Sequence, residues 1–274
     1  MSEKTTAILQ QLKQGIETLF TSDKYAEYLR FQSRFHSYSF SNCLLIAMQC
    51  PEASHVASYT TWHQQNRFVK KGAKSIKILA PHTYKETDSS GNTVIKTGFH
   101  ACSVFDISQT GGDEIPSIAT RLEGTVDDMR LYDILTDISP VPVDRELVPG
   151  EANGYFSPTE LRIVIDDGLS ELMTIKVLCH EISHAFLHCK DGIAETADRR
   201  TREVQAESVA YTVLNYLNLD TSDYSFGYIA GWSKDRTLPE LKSSMELIRE
   251  TSDRIISEIE RKLDGQVKLD AAAV

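Results

Sequence analysis

The sequence predicts an α+β protein of two domains, and three observations lead to this prediction. The N-terminal part has helical apolar repeats that give way to strand-like segments. The C-terminal part has a strongly apolar helical segment that carries a pair of histidines. Charge is also uneven, because residues 1–120 carry 12 basic and 10 acidic side chains, whereas residues 121–274 carry 17 and 29. This asymmetry indicates different partners, and we predict domains at 1–120 and 121–274.

The composition is that of an ordinary soluble globular protein. Of 274 residues, 41% are hydrophobic and 25% are charged. The sequence lacks an apolar run of about 18 residues, so we predict no membrane span. The N-terminal residues are polar and carry no apolar signal core, so we expect a cytoplasmic protein. The five cysteines lack C-x-x-C spacing and are typical of reduced thiols.

The N-terminal domain is predicted to begin with helices and to end with strands. Apolar residues at three- and four-residue steps predict helices at 5–20, 23–35, 41–49 and 59–67. A strand at 75–80, turn residues at 88–92 and a second strand at 93–105 predict a β-hairpin. Helices followed by strands make this domain an α+β unit.

A basic and aromatic stretch lies in this domain. Residues 53–85 contain no acidic residue and six lysines or arginines, with aromatic residues between them. Basic side chains follow a phosphate backbone and aromatic rings stack on bases, so this pattern favours single-stranded nucleic acid. A solvated strand with core aromatics is the alternative. The predicted DNA contacts are Tyr38, Tyr59, Trp62, Arg67, Lys70, Lys71 and Lys74.

Several short motifs in residues 5–112 resemble the N-terminal domain of ArdC-type antirestriction proteins. They are Phe35-His36-x-Tyr38-Ser39-x-x-Asn42, Gln49-x-Pro51, Tyr59-x-x-Trp62, Arg67-x-Val69-Lys70-Lys71-Gly72-Ala73-Lys74 and the run from Val104 to Thr110. That domain is associated with single-stranded DNA. The resemblance therefore implies the same fold and the same class of ligand for residues 1–120.

The C-terminal domain is predicted to combine a helix, two strands and longer helices. A helix at 129–138 precedes strands at 153–156 and 161–165. We expect the second of these strands to lie against the histidine-bearing helix as an edge that pairs with an extended peptide. A charged helix at 238–263 and an unstructured tail at 264–274 are predicted to end the sequence.

The histidine-bearing helix carries the H-E-x-x-H motif of residues 180–184. His180 and His184 are one turn apart, so both imidazoles project from one face and can hold two corners of a zinc tetrahedron. Glu181 can take a proton from the water that zinc activates, and we predict it as the catalytic base. An accidental coincidence of these residues in a buried helix is the alternative.

A hydrolytic zinc site needs a third protein ligand. The spacing that would supply another histidine fails, because Leu187 and Lys190 occupy the positions it requires. The next predicted helix, at 201–217, carries Glu203 and Glu207 one turn apart. One carboxylate can bind the metal while the other accepts the N–H of a ligating histidine. A solvated acidic helix face is the alternative.

The two motifs together resemble the gluzincin-like metallopeptidases of the ImmA/IrrE type and the C-terminal domain of ArdC-type proteins. The similarity covers residues 125–235. It implies a zincin-like, gluzincin-type metallopeptidase domain in which His180, His184 and Glu203 bind Zn²⁺ and Glu207 supports a ligating histidine.

The two resemblances imply an antirestriction protein of a mobile element such as a plasmid. Such a protein would bind single-stranded DNA and would act on a protein substrate with a zinc-dependent peptidase domain. Two alternatives stay open from the sequence. One is a DNA-occluding protein whose zinc site is structural or vestigial, and the other is a metallopeptidase that cleaves a repressor.

Overall fold

The computed structural model describes residues 3–87, 92–114, 128–189 and 197–272. Within these ranges the chain forms helices and small sheets, so the predicted α+β class is confirmed. The helices are α1 (Glu3–Leu19), α2 (Ser22–Arg34), α3 (Phe40–Gln49), α4 (Tyr59–Gln64), α5 (Asp128–Ile138), α6 (Glu171–His188), α7 (Arg199–Tyr216), α8 (Ile229–Lys234) and α9 (Leu238–Ala272). The strands are β1 (Val56–Ser58), β2 (Arg67–Val69), β3 (Ile76–Thr87), β4 (Thr93–Asp106), β5 (Thr110–Gly112), β6 (Val143–Glu146), β7 (Gly154–Ser157) and β8 (Arg162–Asp166).

The chain divides into two compact units. The first comprises Met1–Phe20 and Tyr38–Ile115, and the second comprises Thr21–Ser37 and Pro116–Val274. Helix α2 thus belongs to the C-terminal unit, although it lies early in the sequence. The boundary predicted near residue 120 and most of the predicted turn at 88–92 lie outside the described residues and stay predictions.

Helix α2 is held in the second unit by a buried tyrosine. The Tyr25 hydroxyl lies 2.8 Å from the Ser208 hydroxyl of α7, and its ring packs edge-on against Phe226 with centroids 5.1 Å apart. Tyr25 is fully buried, so its hydroxyl needs the partner that Ser208 supplies. Helical periodicity predicts that α2 has an apolar face, but it does not identify the surface that covers that face.

The long β-hairpin of the first unit belongs to a sheet of order β1-β4-β3, and α3 covers its β3 edge. The Asn42 amide accepts from the Leu79 N–H and donates to the Leu79 carbonyl, both at 2.9 Å. Gln49 makes the same pair of bonds to Lys77, at 2.8 and 2.9 Å. Two side-chain amides of α3 therefore satisfy the outward backbone groups of alternate residues, which protects an edge that would otherwise pair with another chain.

Asp106 closes the end of β4. Its carboxylate accepts from the backbone N–H groups of Ser54, His55 and Ser108 and from the Ser108 hydroxyl. Burial acts to raise the pKa of Asp106, but these donors outweigh burial and hold the pKa below its usual value. Asp106 is therefore a structural cap that ties β4 to the loop before β1.

The sheet of the second unit has the order β6-β8-β7. β8 is parallel to β6 and antiparallel to β7, so it is the central strand. The prediction that residues 161–165 form the edge strand is wrong, because β6 covers the side that was expected to be open. The edge beside the histidine-bearing helix is β7.

Gly154 permits the close approach of that edge strand and helix α6. A Cβ atom at Gly154 would lie 2.8 Å from Val177 Cγ1 and 2.8 Å from the Val164 carbonyl oxygen, so only glycine fits without displacement. The strand is thereby brought against the turn of α6 that precedes His180.

The end of the chain differs from the prediction. Helix α9 continues to Ala272, so the unstructured tail predicted at 264–274 is wrong as far as that residue. A single glycine, Gly265, lies inside it, and a helix tolerates one such residue at a cost of about 1 kcal/mol.

Among the described residues, the helices are too short or too polar to cross a membrane.

Candidate metal centre

Helix α6 begins at an N-cap serine and is fixed by its buried face. The Ser170 hydroxyl accepts from the Met173 N–H, and the apolar positions Ile175, Leu178 and Ile182 are almost completely buried. These contacts set the rotation of the helix about its axis. His180 and His184 then share the opposite, partly open face, as their four-residue spacing requires.

The structure brings three predicted ligands together. Nε2 of His180 lies 3.1 Å from Nε2 of His184, and the Glu203 carboxylate lies 3.7 and 3.6 Å from these two nitrogens. The three ligand atoms all lie within 4.8 Å of one another, and this is the group with suitable metal-ligand geometry among the described residues.

These separations fit a tetrahedral ion. With metal–ligand distances of about 2.0–2.2 Å, tetrahedral angles separate neighbouring ligand atoms by roughly 3.3–3.6 Å. A hydrogen bond between the imidazoles would satisfy one pair of atoms, whereas a cation placed between all three satisfies each of them. The donor set of two imidazole nitrogens and one carboxylate oxygen suits zinc and other divalent transition metals.

Electrostatics keeps Glu203 ionised. The close imidazoles of His180 and then His184 hold the pKa of the Glu203 carboxyl well below its usual value, and they outweigh burial. Burial lowers the pKa of His180, but Glu203 and the neighbouring carboxylates reverse that effect and raise it. The cluster therefore carries the negative ligand that a divalent cation needs.

Glu181 sits beside the ligands in a drier environment. Burial raises the pKa of Glu181, and the effect is partly opposed by His180, His184 and the Phe156 N–H, which donates to the carboxylate. The side chain borders both cavities that flank the histidines. A carboxylate with a raised pKa beside a metal site has the properties of a general base.

Glu207 is hydrogen-bonded to a tyrosine in the structure. Its carboxylate accepts from the Tyr228 hydroxyl, whereas the prediction pairs it with the N–H of a ligating histidine. Burial raises the pKa of Glu207 to about 7, with His180 opposing and Glu203 adding to the shift. Its role as a support for a ligand stays a prediction, and the geometry links it first to Tyr228.

His188 is a site residue that was absent from the predicted set. Its Nδ1 lies 3.0 Å from Nδ1 of His184, and its Nε2 lies 3.0 Å from Oε1 of Gln205. The imidazole is buried, and burial lowers the pKa of His188 to about 4. A signal existed in the sequence, because His188 is four residues beyond His184 and lies on the same helix face.

Two cavities flank the three ligands. A cleft of about 790 Å³ is lined by Tyr155, Phe156, Arg202 and the ligand side chains. A smaller pocket of about 320 Å³ is lined by Met173, Val177, Tyr224 and residues of the centre. Gly154 of the edge strand borders both cavities, so β7 runs along the full width of the centre.

The predicted DNA residues of the N-terminal unit separate into exposed and buried groups. Tyr59 is 58% exposed, and Lys70, Lys71 and Lys74 are also exposed. Trp62 is 0% exposed, and its indole N–H donates to the Phe105 carbonyl at 2.8 Å. The stacking role predicted for Trp62 therefore disagrees with the structure, because this ring is a core residue.

Tyr38 and Arg67 are partly committed to the fold. The Tyr38 hydroxyl donates to the Val56 carbonyl at 2.9 Å. Arg67 donates to Thr110 Oγ1 at 2.9 Å and also to the Asp113 carbonyl. Phe68, in contrast, is 57% exposed and packs against the His63 ring with centroids 5.5 Å apart. Phe68 lies in the basic and aromatic stretch of residues 53–85 but is absent from the predicted contacts.

The fold and the centre define an α+β protein with a candidate metal site of two histidines and one glutamate. Residues 1–108 match the family model of the N-terminal domain of anti-restriction factor ArdC. An uncharacterised protein of Bacillus anthracis, pXO2-81, is 25% identical over 311 residues, which cover 96% of this chain and 52% of that protein. The chain thus spans about half the length of this curated relative.

Two crystal structures of the antirestriction protein ArdC from plasmid R388 are similar in fold. The metal-free structure is 18% identical with a TM-score of 0.55, covering 83% of this chain and 86% of that one. The Mn(II)-bound structure is 17% identical with a TM-score of 0.53, covering 82% and 85%. The chain is therefore ArdC-like in N-terminal sequence and in fold, while the zincin-like assignment of residues 121–274 stays a prediction.

Proposed function

We propose that this chain is an antirestriction-type protein whose C-terminal unit is a metal-dependent peptidase and whose N-terminal unit binds single-stranded DNA. The observation that carries the peptidase proposal is the convergence of His180, His184 and Glu203 beside Glu181, in an open cleft bordered by an edge strand. The resemblance to ArdC supplies the antirestriction context.

His180, His184 and Glu203 would hold the ion, and an Mn(II)-bound structure is known for the R388 protein. When bound, a divalent metal supplies Lewis acidity toward a peptide carbonyl and lowers the pKa of water. Zn²⁺ is the ion we expect first, because imidazole and carboxylate ligands suit it. Structural zinc sites are closed by four protein ligands, whereas the described residues offer three here and leave a cleft beside them. This favours a catalytic site over a structural one.

The edge strand would bind the substrate backbone. In an antiparallel sheet, the backbone groups of alternate residues face away from the neighbouring strand. The Asp166 N–H donates to the Asn153 carbonyl, so in this register the outward groups of β7 belong to Gly154 and Phe156. Gly154 borders both cavities, so an extended peptide paired there would cross the centre. Phe156 and Glu181 line the same cleft, so the base lies beside the strand that would orient the peptide.

Glu181 would act as the general base. Its carboxylate takes a proton from the water that attacks the scissile carbonyl and then delivers that proton to the leaving amine. Burial holds the carboxylate away from bulk water, which increases its affinity for the proton it must carry. The result is hydrolysis of one peptide bond by one water molecule.

The test of the peptidase proposal compares the wild-type chain with Glu181→Gln. Both proteins should hold about one metal ion per chain by elemental analysis, because the three ligands are unchanged. Only the wild type should create new N-termini in a peptide library derived from a bacterial proteome, as read by mass spectrometry. Equal cleavage by the two proteins would contradict the role of Glu181, and a wild type without metal would contradict the centre.

The DNA proposal rests on the exposed aromatic and basic side chains of the N-terminal unit. Tyr59 and His63 are one turn apart on α4, and His63 packs on the exposed Phe68. The loop after β2 adds Lys70, Lys71 and Lys74, which are exposed. We call these six residues the basic aromatic surface. Rings that stack on bases beside ammonium groups that neutralise phosphates are the features of single-strand binding sites.

The DNA proposal is tested with a fluorescent oligothymidine and its duplex with oligoadenosine. We expect the single strand to bind more tightly, because exposed rings need unpaired bases on which to stack. Fluorescence anisotropy over a range of salt concentrations measures both affinity and the number of phosphates contacted. Preference for the duplex would contradict the proposed stacking surface.

A further inference from the structure

We infer that His188 and Gln205 are positioning residues that fix the tautomer and the orientation of the ligand His184. This inference rests on the proposed metal centre, and it assigns a function to a buried polar chain that reaches from that centre to helix α9. The chain runs from His184 through His188 and Gln205 to Ser244.

The direction of each hydrogen bond in this chain follows from the requirement that Nε2 of His184 faces the metal. Nε2 of His184 faces His180 and Glu203, so a metal at that point needs its lone pair and the ring proton must be on Nδ1. Nδ1–H of His184 then donates to Nδ1 of His188, 3.0 Å away. Since His188 accepts at Nδ1, its own proton is on Nε2.

The remaining two bonds fit this assignment. Nε2–H of His188 donates to Oε1 of Gln205 at 3.0 Å, and the Gln205 amide nitrogen donates to the Ser244 hydroxyl at 2.9 Å. The other tautomer of His188 would place its Nδ1–H against the Nδ1–H of His184, and it would leave Oε1 of Gln205 without a donor. The amide of Gln205 therefore selects the one tautomer of His188 that can accept from His184.

Burial of His188, Gln205 and Ser244 strengthens the preference for this tautomer. His188 is 5% exposed, Gln205 is 2% exposed and Ser244 is 6% exposed, so water does not substitute readily for a lost partner. Gln205 follows Glu203 by two residues on α7, so one helix supplies both a direct ligand and the support of another ligand. In many zinc sites a carboxylate accepts the ligand N–H, whereas here a neutral imidazole takes that position.

The decisive variants are Gln205→Leu and Gln205→Glu. The two new side chains are similar in size, but only Glu has an oxygen that can accept a hydrogen bond. Leu removes the acceptor for His188, whereas Glu retains it. If Gln205 served only to fill the core, buried Glu would be the more damaging change. If Gln205 positions His188, Leu should weaken Zn²⁺ binding about 10-fold while Glu stays within about threefold of the wild type.

The experiment measures Zn²⁺ affinity of the full-length chain by competition with a chromophoric chelator. Co²⁺ spectra report the ligand field, and circular dichroism reports folding. His188→Ala should weaken Zn²⁺ binding by about 10–100-fold and alter the Co²⁺ spectrum. Ser244→Ala should have a smaller effect in the same direction. Ser252→Ala is the matched control, because Ser252 is also a buried serine of α9 but bonds to the Ile248 carbonyl of its own helix.

The outcomes separate this inference from the function on which it rests. Wild-type affinity in the Gln205 and His188 variants, or equal losses for Gln205→Leu and Gln205→Glu, would overturn the positioning role and leave the metal centre intact. A wild-type chain that bound neither Zn²⁺ nor Co²⁺ would overturn the centre and the positioning role with it. A loss with Leu that Glu restores, with dichroism unchanged, supports the inference.

Discussion

The metal centre and the basic aromatic surface differ in how their residues come together. Two of the three candidate ligands lie one turn apart on α6, so helix geometry places both side chains on one face, where their Nε2 atoms lie 3.1 Å apart. The residues of the basic aromatic surface come from α4, β2 and the loop that follows β2. Their exposure depends on how these elements pack. A site with two of its ligands on one helix is therefore easier to predict from sequence than a surface assembled from several elements.

The two sites also differ in their chemistry. The centre is partly buried, and its two glutamates differ in pKa. His180 and His184 hold the pKa of Glu203 well below its usual value, whereas burial raises the pKa of Glu207 to about 7. The basic aromatic surface is exposed, and long-range charge and stacking would govern it. We therefore expect metal affinity at the centre to depend on single side-chain atoms. We expect DNA affinity at the basic aromatic surface to depend on salt concentration and on the number of charged side chains.

The largest expected effect is the loss of a ligand. His184→Ala should reduce Zn²⁺ affinity well beyond the roughly 10–100-fold expected for an outer partner, because it removes one of three ligands. Glu203→Ala should behave in the same way. Glu207→Ala should cost less, since its hydrogen bond is to Tyr228. Elemental analysis and chelator competition measure all three.

The same variants test whether the two sites are separable. Oligothymidine affinity of His184→Ala should equal that of the wild type, because the six surface residues are in the other unit. Loss of DNA binding in a folded, metal-free variant would show that the two sites depend on each other.

The next effect concerns Trp62, on which sequence and structure disagree. Trp62→Ala should destabilise the N-terminal unit by about 3–5 kcal/mol, because it empties a fully buried site. The chain has two tryptophans, and Trp232 lies in the other unit. The variant should therefore show an early transition in circular dichroism, while the Trp232 fluorescence transition stays where it is. A stable variant that had lost only DNA affinity would restore the stacking role.

Trp62 also illustrates what a sequence leaves open. The spacing of aromatic and basic residues indicated a ligand class, but a ring that stacks on a base and a ring that fills a core have the same composition. The structure distinguishes them through the Phe105 carbonyl, a partner 43 residues away. Helix α2 gives the same lesson, because its apolar face was predicted and its partner Ser208, 183 residues away, was not.

The proximity of the candidate ligands was easier to predict, for a physical reason. Helical spacing relates His180 to His184 directly, while the choice of Glu203 over Glu207 came from resemblance. The edge strand was misassigned because strand order depends on β6, whose pairing with β8 is parallel and non-local. His188 lies on the predictable face of α6, but its function becomes visible only with Gln205 opposite.

A moderate effect is expected from charge removal on the basic aromatic surface. If about four phosphates are neutralised, the logarithm of affinity should fall with the logarithm of salt concentration at a slope of about −3. Replacing Lys70, Lys71 and Lys74 by Gln should flatten that slope by about two units. Zinc content should not change. An unaltered slope would place the phosphate contacts elsewhere.

The smallest and most specific effect is expected from Phe68. Phe68→Ala should lower oligothymidine affinity by about 1–3 kcal/mol, the value of one stacked base. The salt slope should stay the same, because no charge is removed. The fold should also stay intact, since the ring is 57% exposed and little core is lost. These results would distinguish Phe68 from Trp62, whose loss should destabilise the N-terminal unit. They would also distinguish it from the lysines, whose loss should reduce the salt dependence of DNA affinity.

Phe99→Ala is the matched control for Phe68→Ala. Phe99 is 50% exposed but lies on β4, in the other sheet of the same unit. If its loss weakens binding as much as that of Phe68, general surface hydrophobicity rather than the basic aromatic surface holds the DNA. If Phe68→Ala alone weakens binding at constant slope, the bases stack where β2 and α4 meet, beside His63. The N-terminal unit would then stack unpaired bases on exposed rings that include Phe68, while the buried Trp62 indole stabilises the fold.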